Sequence, residues 1–559
     1  MDVKNIIQEL EKYNARIYVE DGNLKIDCEK GLIDDQLKRL IKAEKDNLIN
    51  YINLIRGYSF SPIPSVSPAD SYLLSSSQRR LWVLSQFEEG NVAYNMRGVH
   101  IFEGELDPVG LESSFLSLIA RHEILRTVFR GNGEGDPRQY VLTAEELGFH
   151  LLQQDLRELQ DQDLKVADLV RGDFECPFDL EKGPLLRAGL YQLADNRWIF
   201  TYVMHHIISD GWSMGIWIKE LFLFYNAYIN SEEDALAPLN IQYKDYAAWQ
   251  QEQLRGDALL LHQNYWMEQF SGMLPVLELA GEKTRPAVKS YRGGDIRAAL
   301  PAELSNGLRS LTQEHGATLF MGLLTALNAL LYRYTGQEDI IVGSPIAGRE
   351  HADLEDQIGF YVNTLALRSR FSGKDSYREL LAQTRQVTLA AYEHQVYPFD
   401  ELVEALDLKR DMSRNPLFDV LIVLQNQTAG TEVMNETASS ANKLTIKNYQ
   451  GGNHEVSKFD LTFSFSESGA EINLGIEYNS DVFSRNEVLQ LSAHFTQLLE
   501  EMIAAPDVSI SQLDYLSTAE QKIILADFNA TEVRYAEDKT VIDLFEAQVR
   551  KSPEATALV

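Results

Sequence analysis

The sequence predicts a mixed α/β (α+β) chain, with two α/β lobes preceded by a small helix-hairpin-helix module. Three observations carry that expectation. At 559 residues the chain exceeds what one hydrophobic core organises, so several structural units are needed. From about Leu74 to Met502, amphipathic helical runs mix with short strand patterns and nothing repeats at a solenoid period. Ahead of that region, a short helix and hairpin pattern runs into a Ser/Pro-rich stretch from Ser59 to Ser67, the composition of a linker.

The elements follow in order. Val3, Ile6, Ile7 and Leu10 recur at helical spacing, and Arg16 to Glu20 and Leu24 to Asp27 alternate as two strands around Asp21-Gly22-Asn23. A second helical run places Leu32, Leu37, Leu40, Ile41, Leu48, Ile49 and Ile52 between charged positions. In the middle of the chain, Trp198 to Met204 reads as a strand that enters the polar segment His205 to Gly211. Helical spacing resumes at Met214, Ile218 and Leu221, which puts the polar segment on a strand-to-helix turn. Thr428 to Asn442 is polar without periodicity and is expected to be a surface loop. Val541 to Val559 reads as the opening helix of another unit. The expected organisation is residues 1–58 as the N-terminal module, 59–70 as linker, 71–243 and 244–508 as the two lobes, and 509–559 as a linker entering a further unit.

Composition narrows the function. Hydrophobic residues make up 45% and charged residues 24%, and no stretch reaches the ~18 apolar residues that a membrane helix needs, so a soluble chain is expected. With 51 basic against 83 acidic residues and a net charge of −32, binding of nucleic acid through its phosphates is disfavoured. Cys28 and Cys176 stand far apart, outside any CxxC or Cys/His cluster, and are expected to be reduced, buried thiols. The N-terminus lacks the basic start, apolar stretch and cleavage site of a signal peptide, so the cytoplasm is the expected compartment.

His205-His206-Ile207-Ile208-Ser209-Asp210-Gly211 concentrates two imidazoles, a carboxylate and a glycine at the mouth of a strand. Imidazole exchanges protons near neutrality, and glycine permits close backbone approach to a developing oxyanion, so acyl transfer fits. A packed His-His pair and an aspartate serving only as helix N-cap fit the same residues, and the spacing leaves both readings open. Metal binding is disfavoured, since adjacent histidines diverge and no third ligand lies at helical spacing. Neither a GxSxG elbow nor a GxxxxGK[ST] loop occurs, so direct attack of one bound substrate on another is favoured over a covalent enzyme intermediate.

The segment HHIISDG resembles the HHxxxDG signature shared by nonribosomal peptide synthetase condensation domains and chloramphenicol-acetyltransferase-like acyltransferases. Leu74 to Trp82, Arg121 to Thr127 and Tyr243 to Gln250 resemble further condensation-domain motifs, as do Gly343 to Arg349, Ile358 to Leu365, Tyr397-Pro398-Phe399 and Arg414 to Phe418, all in the family's order. The resemblance implies two chloramphenicol-acetyltransferase-like lobes in a V-shaped pseudo-dimer, with a tunnel entered from opposite faces by two carrier proteins. It implies substrates delivered as thioesters on phosphopantetheine arms, and no cofactor or metal bound by the chain itself. It assigns His206 as the catalytic histidine, with His205, Asp210 and Gly211 completing the signature and Arg349 as the partner of Asp210. The variants Ile208 to Ser213 and Tyr361 to Leu365 resemble the type that joins an L-configured donor to an L-acceptor.

Residues 1–58 resemble the N-terminal docking domains typified by the tubulysin system, which grip a C-terminal peptide of an upstream synthase. Leu24, Lys25, Ile26 and Asp27 are then the expected peptide-binding strand. Lys25, Lys30, Lys38 and Arg39 fit an acidic peptide or a solvated face. Asn529-Ala530-Thr531 and Val541 to Phe545 resemble the linker and start of an adenylation domain. A lipid-loading starter condensation domain, a free CoA-dependent acyltransferase and a noncatalytic carrier-recruiting platform are the alternatives.

Overall fold

The computed structural model describes residues 16–20, 23–27, 41, 45, 62–86, 92–133, 135–232, 236–279, 281, 283–409, 411–425, 444–449, 456–532 and 538–556. The chain divides into two compact units, Met1–Ser65 and Val66–Val559.

In the first unit, β1 (Arg16–Glu20) and β2 (Asn23–Asp27) pair antiparallel, with Arg16 opposite Asp27 and Glu20 opposite Asn23. That register leaves Asp21-Gly22 between them, the composition selected by tight two-residue hairpin turns. β2 thus starts at Asn23, one residue earlier than its alternation indicates. Of the helices expected around this hairpin, only Ile41 and Lys45 of the second run are described, both helical; Cys28, Lys30, Lys38, Arg39 and the Thr428 to Asn442 loop lie outside the described residues.

The second unit begins with α1 (Ser76–Ser85), β3 (Asn95–Glu103), α2 (Pro108–Arg121), the hairpin β4 (Thr127–Gly131) and β5 (Pro137–Val141), and β6 (Leu152–Asp155). Next come α3 (Gln162–Glu175), β7 (Leu186–Ala194), β8 (Arg197–His205), α4 (Gly211–Asn230), α5 (Tyr243–Gln253) and α6 (Asp257–Gln269). The chain continues through β9 (Gly293–Leu300), α7 (Ala302–Glu314), α8 (Leu319–Thr335), β10 (Asp339–Ile346), β11 (Asn363–Arg370), α9 (Tyr377–Glu393) and α10 (Phe399–Ala405). It ends with β12 (Val420–Gln425), β13 (Thr445–Asn448), β14 (Leu461–Ser468), β15 (Glu471–Asn479), α11 (Arg485–Ala504), α12 (Thr518–Lys522) and α13 (Val541–Lys551).

Two mixed sheets define two lobes: a five-stranded sheet ordered β13-β3-β8-β7-β6 and a six-stranded sheet ordered β11-β10-β12-β14-β15-β9. β8 is buried from Trp198 to His205 on both faces, which is why its sequence is almost continuously apolar and does not alternate. β13 comes from the part of the chain otherwise belonging to the second lobe, yet it pairs with β3, Lys447 opposite Ile101. A bare β3 edge would expose a row of unpaired N–H and C=O groups, and the crossing strand satisfies them. Four residues without strong periodicity carry no trace of this in the sequence.

The second lobe is organised by α8. Thr318 caps its N-terminus by accepting from Met321 N, Gly336 at φ 70° ends it, and every residue from Met321 to Leu331 is buried. A helix that is apolar all round belongs inside a core. Its polar members are satisfied locally: Thr325 donates to the Met321 carbonyl at 2.7 Å, and Asn328 Nδ2 donates to Ser369 Oγ at 2.9 Å. Leu327→Ala should therefore cost about 2–5 kcal/mol, read as a lowered thermal midpoint. Among the described residues no single helix is long and apolar enough to cross a membrane; the bent pair α7 and α8 owes its apolarity to this core.

Cys176 departs from its expected burial: it is an exposed free thiol. It caps the C-terminus of α3 just ahead of Pro177, where the chain runs over the surface. α13 begins at Val541 as expected from the sequence, with Val541, Ile542, Leu544, Phe545 and Val549 exposed.

Candidate active site

The site is built where β8 leaves its sheet. The His206 N–H donates to the Tyr94 carbonyl at 2.8 Å, ahead of β3, and residues His206–Ile208 form one 3₁₀ turn. Gln78 of α1, fully buried, donates from Nε2 to the Ile207 carbonyl at 3.1 Å and holds that turn from the other side. Ser209 and Asp210 are extended, and α4 starts at Gly211.

The two histidines do different things. His205 is fully buried; its Nδ1 accepts the Ile207 N–H at 3.2 Å, and its ring stands edge-on to Phe178 at 6.1 Å. His206 retains partial exposure. Its Nδ1 lies 2.8 Å from the Ser209 carbonyl, which can only accept, so Nδ1 carries the proton and Nε2 presents a free lone pair. Phe360 stands edge-on to that ring at 4.9 Å and Tyr94 at 6.5 Å. Desolvation by burial, reinforced by the Lys458 ammonium, pushes both imidazoles down to about 3. Both are therefore neutral at cellular pH.

Asp210 ties the lobes together. As N-cap of α4 its Oδ1 accepts from Ser213 N at 2.8 Å, and its Oδ2 accepts from Tyr361 N at 2.9 Å. Arg349 Nη2 lies 3.5 Å from Oδ1, an ion pair with both side chains almost wholly buried. The N-cap reading and the Arg349 partnership suggested by the sequence thus describe the same carboxylate. Arg349 makes its shorter contacts elsewhere, donating to Ser213 Oγ at 2.8 Å, to the Gln357 carbonyl at 2.7 Å and to the Leu354 carbonyl, with its guanidinium 4.2 Å from the Tyr361 ring centroid.

Ser213, which in the sequence only closes a motif variant, is the junction. Its Oγ donates to the Gly359 carbonyl at 2.8 Å and accepts from Gly359 N at 3.1 Å and from Arg349. Tyr243 of α5 likewise stands out in the sequence only as part of a motif; its hydroxyl donates to the Phe360 carbonyl at 2.6 Å and meets Ser75 Oγ at 2.9 Å. Gly359 permits that approach, since a Cβ there would sit 2.1 Å from the Tyr243 ring. At Gly211 a Cβ would meet nothing within 4 Å, so the start of α4 borders open space beside the His206 turn.

The other motif blocks surround this junction as supports. Arg80 pairs with Asp400 at 3.1 Å, Glu220 of α4 takes Arg121 at 3.1 Å and His122 at 2.6 Å, and Asp245 accepts from Val66 N at 2.8 Å. Arg414 pairs with Asp419 below β12. No cluster of three or more His, Cys, Asp and Glu side chains suited to a metal occurs among the described residues. The arrangement offers a neutral imidazole lone pair beside open space, in a wall contributed by both lobes; among the described residues no hydroxyl or thiol is hydrogen-bonded to it.

A family model described as Condensation domain matches residues 68–525. This chain belongs to the condensation-domain family. A second model, the TubC N-terminal docking domain, matches residues 3–53, ahead of the condensation domain. The chain is 39% identical over 542 residues to tyrocidine synthase 3 of Brevibacillus parabrevis, covering 97% of this chain and 8% of that protein. It is also 39% identical over 513 residues to gramicidin S synthase 2 of Brevibacillus brevis, covering 92% of this chain and 11% of that protein. The chain thus spans only about a tenth of the length of these curated relatives. Among solved structures, the X-domain from teicoplanin biosynthesis matches with a TM-score of 0.72 at 25% identity, covering 82% of this chain and all of that one. The starter condensation domain of rhizomide synthetase, in complex with C8-CoA and Leu-SNAC, shares the fold, with a TM-score of 0.65 at 21% identity over 80% of this chain and 98% of that one.

Proposed function

We propose that this condensation domain is an acyltransferase that forms an amide bond between a donor acyl or peptidyl thioester and the amine of an acceptor aminoacyl thioester. Each substrate arrives on the phosphopantetheine arm of its own carrier protein, and the domain binds no cofactor of its own. The observation that carries this reading is the neutral His206, with Nδ1–H held by the Ser209 carbonyl and the Nε2 lone pair free.

The acceptor nitrogen attacks the donor carbonyl carbon and a C–N bond forms. The nitrogen becomes positively charged and its proton acidic, so even a weakly basic imidazole takes it at that stage. The C–S bond then breaks, the electron pair leaves on sulfur, and His206 returns the proton there. An α-amino group titrates near ~8, so a useful fraction is already nucleophilic, and orientation by His206 supplies much of the benefit. His205 holds the turn, Asp210 and Arg349 hold the lobes in register, and Gly211 leaves room at the tetrahedral centre.

Upstream, the β2 strand Leu24 to Asp27 receives a C-terminal peptide of the preceding synthase by strand addition, with exposed Lys25 facing it. The working compartment is the cytoplasm, the donor and acceptor are L-configured, and the units are 1–58, 71–243, 244–508 and the adenylation-like start at 509–559. The test loads one carrier protein with L-aminoacyl or octanoyl groups and a second with L-aminoacyl groups, then follows the amide by intact-protein mass spectrometry. Carrier-dependent product supports the reading, and preference for octanoyl moves it to a starter domain. The likeness to the X-domain, seen elsewhere in complex with OxyB, favours a second reading as a recruiting platform, which total absence of product would select.

A further inference from the structure

Lys458 faces the His206 turn from the second lobe. It stands just before β14 on a backbone clamped from several sides: its N–H donates to Glu477 Oε1 at 3.3 Å, and its carbonyl accepts from Asn415 Nδ2 at 3.2 Å and from Lys289 Nζ. Its neighbour Ser457 is fully buried and donates its N–H to the Tyr291 carbonyl at 2.8 Å. The ammonium so aimed lies 4.9 Å from the centroid of the Tyr94 ring. Tyr94 is the residue whose carbonyl anchors His206 and whose ring stands edge-on to the imidazole.

Among the described residues this ammonium makes no ion pair within 4.0 Å, in a chain carrying 83 acidic side chains. Glu477, whose carboxylate accepts the Lys458 N–H, attracts the ammonium without closing an ion pair; a part-buried cation so incompletely compensated is costly, and such arrangements persist where the charge itself is used. Burial lowers the Lys458 ammonium to about 8, with Glu477 of β15 opposing and Arg97 of β3 adding to the shift. The charged and titratable groups around the His206 turn are His205, Lys458 and, through Tyr94, Arg80 of α1, Asp400 of α10 and Tyr291. Asp400 is paired with Arg80, and Lys458 is the charge that acts most strongly on His206.

We propose that Lys458 is a positioning residue for the acceptor amine: its positive charge behind Tyr94 disfavours an ammonium ion beside His206 Nε2, so the amine is held as the nucleophilic free base. This rests on the condensation reading. The bound amine then titrates lower than it does free in water, and the domain works at pH values where a free α-amine is mostly protonated.

The test uses the full chain with Lys458→Met and Lys458→Arg, an acyl-loaded carrier protein as donor and leucyl-N-acetylcysteamine thioester as acceptor. The parallel acceptor is the aminooxyacetyl thioester, whose nitrogen is uncharged across the range. With the leucyl acceptor, Lys458→Met should move the acid limb of kcat/KM up by about one pH unit, a loss of up to about tenfold at pH 6.5 that vanishes near pH 9. Lys458→Arg should retain the wild-type limb, and the aminooxy acceptor should show no displaced limb in any variant. A drop of equal size at every pH and with both acceptors, in a variant that melts like wild type, overturns the proposal and makes Lys458 structural. Absence of product from wild type with every donor tried overturns the condensation reading and this proposal with it.

Discussion

His206→Ala is expected to reduce carrier-dependent amide formation by about 10²- to 10⁴-fold, the range for loss of a positioned proton acceptor. The fall should appear in kcat with little change in KM for either carrier, because the proposed mechanism engages the imidazole with the reacting atoms and with no carrier surface. A second readout separates chemistry from folding. An ordinary histidine titrates near ~6.5, whereas folded His206 is held down to about 3. Below pH 6.5 the unfolded chain therefore binds a proton that the folded chain refuses, and stability falls with falling pH. Removing the ring removes that penalty, so the variant's melting temperature should decline less than wild type between pH 6.5 and 4.5. An unchanged rate in a folded His206→Ala protein would remove this residue from the chemistry.

Asp210→Ala should act first on the fold. It strips the acceptor from Ser213 N and Tyr361 N and leaves the Arg349 guanidinium without its carboxylate, all in a buried junction between lobes. Breaking a buried pair of this kind costs about 3–5 kcal/mol. The expected result is a lower melting temperature and poor soluble yield, measured by thermal unfolding. Asp210→Asn keeps one oxygen acceptor and the side-chain shape and should recover part of the loss. If Asp210→Ala melts like wild type yet makes no product, the carboxylate serves the reaction and not the fold.

Much of this is legible in the amino-acid order alone. The two strands of the hairpin follow from alternation to within one residue at Asn23, and the strand-to-helix turn at His205 to Gly211 follows from the apolar run Trp198 to Met204 giving way to helical spacing at Met214, Ile218 and Leu221. Asp210 as N-cap is visible from local chemistry, and Arg349 as its partner only through the family resemblance. Ser213 lies three residues from Asp210, where an N-cap carboxylate reaches, and can be found by asking what else a buried capping site must satisfy. Lys458 gives no such signal, because it is one lysine in a polar stretch until folding aims it at Tyr94.

The division follows the range of the forces involved. The sequence by itself determined what depends on near neighbours: the hairpin strands, the Asp210 cap, the start of α13 and the HHIISDG turn. Only the tertiary structure decided which side chains meet across hundreds of residues. It placed β13 against β3, joined Ser213 to Gly359 and Arg349, gave His205 and His206 opposite tautomers, and set the Lys458 charge beside them. Burial, electrostatic coupling and long-range hydrogen bonds act through space, so a pattern read along the chain does not contain them until the chain has folded.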